Sequence, residues 1–167
     1  MVRKLSLLVG LVLLTSLAAN AQDFSDKAEL FGGYSYMRTD SPSFNLNGWE
    51  LSGQYKVTDW LGGVADFDGH YGSPNGFSSS LHTFLFGPQV SWPARVSPFA
   101  HLLFGGAHVS SGGFSDTSFA MGIGGGIDTR LMHGVYWRVI QGDYVPTFFG
   151  GAREDNVRLS TGIVFRF

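Results

Sequence analysis

Apolar and polar residues alternate with a period of two along most of the chain after residue 27. In the clearest run, at 48–57, Trp49, Leu51, Gly53, Tyr55 and Val57 alternate with Gly48, Glu50, Ser52, Gln54 and Lys56. Because successive side chains of a strand point to opposite faces, this pattern predicts a β-strand with one apolar face. The pattern predicts eight strands, at Ala28 to Met37, Gly48 to Val57, Leu61 to Tyr71, Leu81 to Val90, Pro98 to His108, Ser118 to Arg130, Val135 to Val145 and Val157 to Phe167.

The connections between these strands alternate in length. Short turns at 58–60, 92–95 and 132–134 alternate with longer polar segments at 38–47, 72–80, 110–117 and 147–156. Outer-membrane barrels combine short periplasmic turns with longer outside loops, and their strands need about 9–11 residues to cross the bilayer. We therefore predict an all-β fold, an eight-stranded antiparallel up-and-down transmembrane β-barrel. In the seventh strand the alternation slips between Arg138 and Gln141, which predicts a β-bulge.

The first 21 residues have the pattern of a secretory signal peptide. Arg3 and Lys4 precede an apolar stretch from Leu5 to Leu17, and Ala19-Asn20-Ala21 is a small-x-small cleavage site. We expect export through the periplasm, cleavage after Ala21, and one barrel domain at 22–167. Nine basic and thirteen acidic residues then remain, which argues against a nucleic-acid-binding surface. The chain has no cysteine, so disulfides, thiolate metal sites and cysteine nucleophiles are excluded.

The polar faces of the predicted strands carry charges of both signs. We predict a lumen charge network of Glu29, Glu50, Lys56, Asp66, Asp68, Asp128, Arg130, Arg138, Arg158 and Arg166. The same cations facing lipid near the midplane would each cost about 2 to 4 kcal/mol, so the apolar faces must point outward. A soluble lipocalin-like barrel would have the opposite polarity. Glycines at 122–126 are expected to face inward and leave room for long side chains opposite.

Tyrosine and tryptophan residues cluster near the predicted strand ends, at Tyr34, Tyr36, Trp49, Tyr55, Trp60, Tyr71, Trp92, Trp137 and Tyr144. These residue types favour the wet edge of a bilayer, so the placement indicates an aromatic girdle. General β-propensity would also enrich aromatic residues in strands.

The ordered set of strands resembles the small outer-membrane barrels of the OmpA transmembrane-domain and OmpX type. The matching segments include Glu29 to Tyr34, Gly122 to Asp128 and the closing strand Gly162 to Phe167. The resemblance implies a place in the bacterial outer membrane, among lipid and lipopolysaccharide. It also implies that Ile163, Phe165 and Phe167 form the signal read by the barrel-assembly machinery. The chain stops at its eighth strand, so we expect no peptidoglycan-binding domain.

The candidates for chemistry are few. A lipid-modifying barrel enzyme could use a serine, a histidine and a carboxylate among Asp66, Asp68, His70, Ser78, Ser79 and His82. No nucleophile motif accompanies them, and the five histidines show no metal-ligand spacing, so we expect no catalytic, metal or cofactor site. The sequence favours a structural, non-enzymatic barrel. A narrow porin-like channel and a surface-loop adhesin or ligand-binding protein, with Phe77, Phe114, Phe148 and Phe149 as contacts, remain as alternatives.

Overall fold

The computed structural model describes residues 27–40, 43–73 and 79–167. The predicted signal peptide at 1–21 lies outside the described residues. The strands are β1 (Ala28–Asp40), β2 (Ser43–Lys56), β3 (Leu61–Gly72), β4 (Ser79–Ser91), β5 (Val96–Ser111), β6 (Phe114–Met132), β7 (Val135–Thr147) and β8 (Glu154–Arg166). A short 3-10 turn, Phe149–Gly151, connects the last two strands. Within the described part of the chain, no helix is long and apolar enough to cross a membrane.

The strands form one closed antiparallel barrel in sequence order, which confirms the predicted fold class. Closure joins β1 to β8 from Glu29 opposite Arg166 to Thr39 opposite Asn156. The backbone of Phe167 also exchanges two hydrogen bonds with Ala28, at 2.8 and 2.9 Å. We call the end of the barrel that carries Lys27, Phe167 and the three short turns the lower rim, and the opposite end the upper rim.

The long upper loops expected at 38–47 and 110–117 are mostly strand, so the prediction was wrong there, whereas a connection at 148–153 remains between β7 and β8. β5 and β6 pair as far as Ser111 opposite Phe114, and the turn needs only Gly112 and Gly113, both at positive φ. β1 and β2 likewise pair as far as Asp40 opposite Ser43. The polar segments 38–47 and 110–117 are mostly strand. Their alternation disappears because both faces are polar there, while backbone pairing continues beyond the apolar band.

The bulge predicted in the seventh strand is confirmed. The register of β7 against β8 shifts between Arg138 and Gln141, and β6 shifts against β7 between Ile127 and Asp128. Val139 and Ile140 are consecutive and both exposed, while Arg138 and Gln141 on either side are both buried. The extra residue of the bulge therefore lets Arg138 and Gln141 both point into the lumen.

The outside of the barrel is apolar and the inside is filled with side chains. Large apolar residues exposed on the outside include Leu51, Phe84, Phe86, Leu102, Phe104, Ile123, Leu159, Ile163 and Phe165. Exposed aromatic residues flank this surface at both ends, with Tyr34, Trp49 and Tyr71 towards the upper rim and Tyr55, Trp60, Trp92 and Trp137 towards the lower rim. The exterior therefore has the layered polarity of a surface that faces a bilayer.

A cation placed in the middle of this surface tests its contact with lipid. Phe86 is 51% exposed, and its strand partners are Ala65 on one side and Phe104 on the other. We expect Phe86→Arg to lower the free energy of unfolding by about 2 to 4 kcal/mol more than the matched variant Phe86→Ala. The measurement is reversible denaturant unfolding in lipid vesicles. Equal stability of the two variants would contradict a lipid-facing position.

Candidate functional site

The centre of the lumen holds one guanidinium group surrounded by four carboxylates. Arg158 projects from β8 and has no exposed surface. Its Nη1 donates to Asp66 Oδ1 at 2.7 Å and to Asp68 Oδ2, while Nη2 donates to Asp143 Oδ2 at 2.7 Å. Its Nε lies 3.6 Å from Glu50 Oε2 and donates to Asp143 Oδ2 at 2.9 Å. We call these five residues the central layer.

Neutral donors complete the hydrogen bonding of the carboxylates. Gln141 Nε2 donates to Glu50 Oε1 at 2.8 Å and to Asp143 Oδ2 at 2.7 Å. The hydroxyl of Ser160 donates to Glu50 Oε2 at 2.5 Å, and Thr83 donates to Asp68. A buried charge without partners is very unfavourable, so these bonds are needed to keep the carboxylates in the lumen.

A second group of charges, the lower layer, lies between the central layer and the lower rim. Arg138 Nε donates to Asp128 Oδ1 at 2.9 Å, and Arg166 Nη2 donates to Asp128 Oδ2 at 3.0 Å. Glu29 pairs with Arg166 at 3.0 Å and with Lys56. The guanidinium of Arg138 also lies between two aromatic rings, 4.3 Å from the centre of Phe31 and 4.2 Å from that of Phe99. Each ring can make a cation–π contact with this buried guanidinium.

Nine of the ten residues in the predicted lumen network make these ion pairs. Arg130 differs: it is exposed at the lower rim, and its Nη2 lies 3.4 Å from His133 Nδ1 rather than against a carboxylate. It lies near the end of β6, below the closed layers, where a guanidinium can reach water. Sequence reasoning missed Asp143, Gln141 and His101 as network members. The bulge before Gln141 shifts the alternation of the strand by one residue, and that shift places both Gln141 and Asp143 inward.

A serine, a histidine and an aspartate meet in the lumen, although the serine is not one of those expected. His70 Nδ1 lies 3.1 Å from Asp68 Oδ1, and its Nε2 lies 2.9 Å from the hydroxyl of Ser35. This order of contacts is that of an acyl-transfer triad. All three side chains are fully buried, so no substrate carbonyl can reach the hydroxyl.

The other residues considered for catalysis lie elsewhere. Asp66 binds Arg158, Ser79 exchanges a hydrogen bond with Ser111 at 2.7 Å, and the ring of His82 lies 5.6 Å from that of Tyr71. Ser78 lies outside the described residues. Among the residues that the structure describes, no three histidine, aspartate or glutamate side chains are arranged to hold a metal ion.

The glycines of β6 make room for the charged side chains. A Cβ atom on Gly124 would lie 1.9 Å from Asp143 Oδ1, and one on Gly126 would lie 2.8 Å from the ring of Phe99. Both distances are shorter than any permitted contact. Inward glycines here therefore leave space for a network carboxylate and for a ring that covers Arg138, as the sequence predicts.

Apolar residues fill the lumen towards the upper rim. Met37, Leu46, Leu81 and Val145 are buried in one cluster, which Phe149 covers in part. The ring of Phe148 lies 6.0 Å from that of Phe119. Phe148 and Phe149, proposed from the sequence as adhesive contacts, therefore pack against the barrel. Phe77 and the side chain of Phe114 lie outside what the structure describes.

We compared the chain with known protein families, sequences and structures. No family model matches the chain, and no curated protein matches it in sequence. Among solved structures, neisserial surface protein A is similar at a TM-score of 0.59 with 17% identity, over 84% of this chain and 96% of that one. The attachment invasion locus protein Ail of Yersinia pestis is similar at 0.56 with 17% identity, over 85% and 100%.

A third similar structure is the N-terminal β-barrel domain of Pseudomonas aeruginosa OprF, at a TM-score of 0.52 with 13% identity, over 85% of this chain and 98% of that domain. The chain therefore has the fold of the small OmpA- and OmpX-like outer-membrane barrels, as the sequence resemblance implies.

Loss of the central guanidinium tests the role of the central layer. Arg158→Met keeps the length of the side chain but leaves four carboxylates without their cation. We expect the free energy of unfolding to fall by about 3 to 5 kcal/mol, as when one partner is removed from a buried ion pair. The matched control is Arg153→Met, because Arg153 pairs with Asp155 at the upper rim and its side chain is 58% exposed.

The control should unfold like the wild type. Denaturant unfolding in vesicles measures both variants, and a wild-type midpoint for Arg158→Met would contradict the assigned role.

Proposed function

We propose that this protein is an integral, structural component of the bacterial outer membrane with a closed lumen and no enzymatic activity. The central layer carries this proposal, because five charged side chains from β2, β3, β7 and β8 meet across the middle of the barrel. The fold and the apolar exterior support the location. Export through the periplasm and removal of residues 1–21 are part of the same proposal.

The packing of the lumen argues against a conducting pore in this state. The central layer is fully buried, and the lower layer is covered by the rings of Phe31 and Phe99. A cavity between the layers, next to Gln54, Gln89 and Arg138, has a volume of about 10 Å³. This is about the space that one water molecule occupies. An ion would have to break several charge-assisted hydrogen bonds in order to pass.

Asp68, His70 and Ser35 are hydrogen-bonded in that order inside the described lumen. Their buried position argues against catalysis. The hydroxyl of Ser35 is not accessible to solvent, and it lies 2.9 Å from the hydroxyl of Ser160 and 2.9 Å from His70 Nε2. A nucleophile must reach its substrate, and this one is held inside the polar network. The triad geometry is better explained by the need to give every buried polar atom a partner.

The closely packed lumen predicts that the protein does not conduct ions across a bilayer. We expect the refolded protein to show no single-channel steps in planar bilayers, because the buried ion pairs of the central layer cross the middle of the lumen. Protease cleavage at the lower-rim turn of Arg95, in vesicles of the same preparation, checks that the protein has inserted. Regular conductance steps from inserted protein would contradict the closed lumen and favour the narrow-channel alternative.

The outer surface and the last strand suggest the partners of the barrel. We propose that the apolar band contacts membrane lipid and lipopolysaccharide, and that β8 is the strand recognised by the barrel-assembly machinery. Ile163 and Phe165 are exposed on the outer face of β8, two residues apart. Phe167 continues the alternation and pairs with Ala28 through its backbone. An alternating apolar edge that is free until closure can be read by another protein through strand pairing.

Replacement of the last side chain separates assembly from stability. Phe167→Ala keeps the two backbone hydrogen bonds to Ala28 and removes only the ring, whereas deletion of the residue would remove both. We expect the amount of folded barrel in the outer membrane of living cells to fall severalfold, with little change in the unfolding midpoint of the purified protein. Phe84→Ala on β4 is the matched control, since it removes the same ring from the outer face at a place far from the closing strand. Wild-type assembly of Phe167→Ala would contradict the signal role.

A further inference from the structure

The lower rim encloses a recess of about 830 Å³ whose lining includes five lysine and arginine residues. Its cationic and titratable lining consists of Lys27, Lys56, Arg95, Arg130, Arg166 and His133, and Asp59 is the acidic residue among them. The whole chain has a net charge of −2, so the recess differs in sign from the protein around it. This volume is within the range of small-ligand sites.

Three of these cations have no acidic partner in the part of the chain that the structure describes. Lys56 and Arg166 are paired with Glu29 and Asp128 in the lower layer. Among the described residues, no carboxylate lies within ion-pair distance of Lys27, Arg95 or Arg130. The recess therefore presents positive charge below the lower layer, in which the charges are already paired.

Backbone hydrogen bonds fix the positions from which these side chains project. The amide of Arg130 donates to Arg95 O at 3.0 Å, and the amide of Lys56 donates to Lys27 O at 2.7 Å. The amide of Arg166 donates to Gly134 O at 2.8 Å. Lys56, Arg130 and Arg166 thus project from strand ends, and Lys27 and Arg95 stand directly before strands and are tied to the neighbouring strands by these backbone bonds. Such a framework lowers the cost of gathering like charges around a ligand.

We propose that the lower rim is a binding site for a phosphate-bearing anion with two or more negative charges. Arginine guanidinium groups match the geometry of phosphate oxygens and can bind them through two hydrogen bonds each. Arg95 and Arg130 are adjacent through their backbones, so one phosphate group can bridge both side chains. The site needs only the rim of the barrel, and it is independent of whether the lumen conducts.

Two sources could supply this chemistry at the periplasmic end. One is a soluble oligophosphate that enters the recess from below. The other is the headgroup of an anionic phospholipid in the adjacent leaflet, whose chains would lie against the outer face near Trp60 and Trp92. Both present phosphate oxygens to the same residues, and the experiment below distinguishes them.

The first arm of the test uses tripolyphosphate as a probe. Isothermal titration calorimetry of the refolded protein in nonionic detergent should show one saturable site that weakens as salt is added. The double variant Arg95→Gln/Arg130→Gln should bind at least tenfold more weakly. Arg38→Gln/Arg153→Gln removes the same charge at the upper rim and should bind like the wild type. Circular dichroism checks folding, and the single variant Arg95→Gln replaces the double variant if that one does not refold.

The second arm measures retained lipid. Native mass spectrometry counts the phosphatidylglycerol and phosphatidylcholine molecules that remain on protein extracted from mixed vesicles. Retention of phosphatidylglycerol that is lost only in the lower-rim variant assigns the site to a headgroup, and tripolyphosphate binding without such retention assigns it to a soluble anion. Absence of saturable binding in both arms, or an equal loss in both double variants, would overturn the proposal.

Discussion

Burial of the Arg158 guanidinium is the constraint on which the rest of the lumen depends. Its partners Asp66 and Asp68 belong to β3, which lies across the lumen from β8 and shares no backbone pairing with it. The ion pairs therefore join strands that the sheet itself does not join. They also select one register, because a slip of one residue would turn the lumen charges towards lipid. In water a surface ion pair contributes little, but here the alternative is an unpaired charge in a closed barrel.

The departures from regular strand geometry follow from this requirement. The bulge at Val139 and Ile140 keeps Arg138 and Gln141 on the inside together, so that one reaches the lower layer and the other the central layer. The missing side chain at Gly124 leaves the space that the Asp143 carboxylate occupies. A bulge on one strand and a glycine on its neighbour therefore serve the same network, although they lie at unrelated places in the sequence.

The sequence predicted the barrel because alternation depends on one apolar environment outside and one polar environment inside. It failed where these environments change. Residues 110–117 have polar side chains on both faces and were expected to form a loop, yet Ser111 pairs with Phe114 in a tight hairpin. Asp143 lies two residues after Gln141, so the predicted bulge turns it inward as well, although it was left out of the expected network. The contact between Ser35 and His70 joins residues 35 positions apart on strands that are not neighbours, and no local pattern can reveal such a contact.

Charge is distributed along the barrel axis in a way that limits where function can lie. Apolar side chains such as Met37 and Leu81 close the lumen above, paired charges close it in the middle, and the cations Lys27, Arg95 and Arg130 gather around the recess at the lower rim. The charged groups of the central and lower layers are paired with one another, so they have little left to offer a ligand. Among the described residues, cations without an acidic partner and accessible volume coincide at the lower rim, whereas apolar surface is found on the outer wall. Interactions with other molecules are therefore expected at the wall and the rims rather than through the barrel.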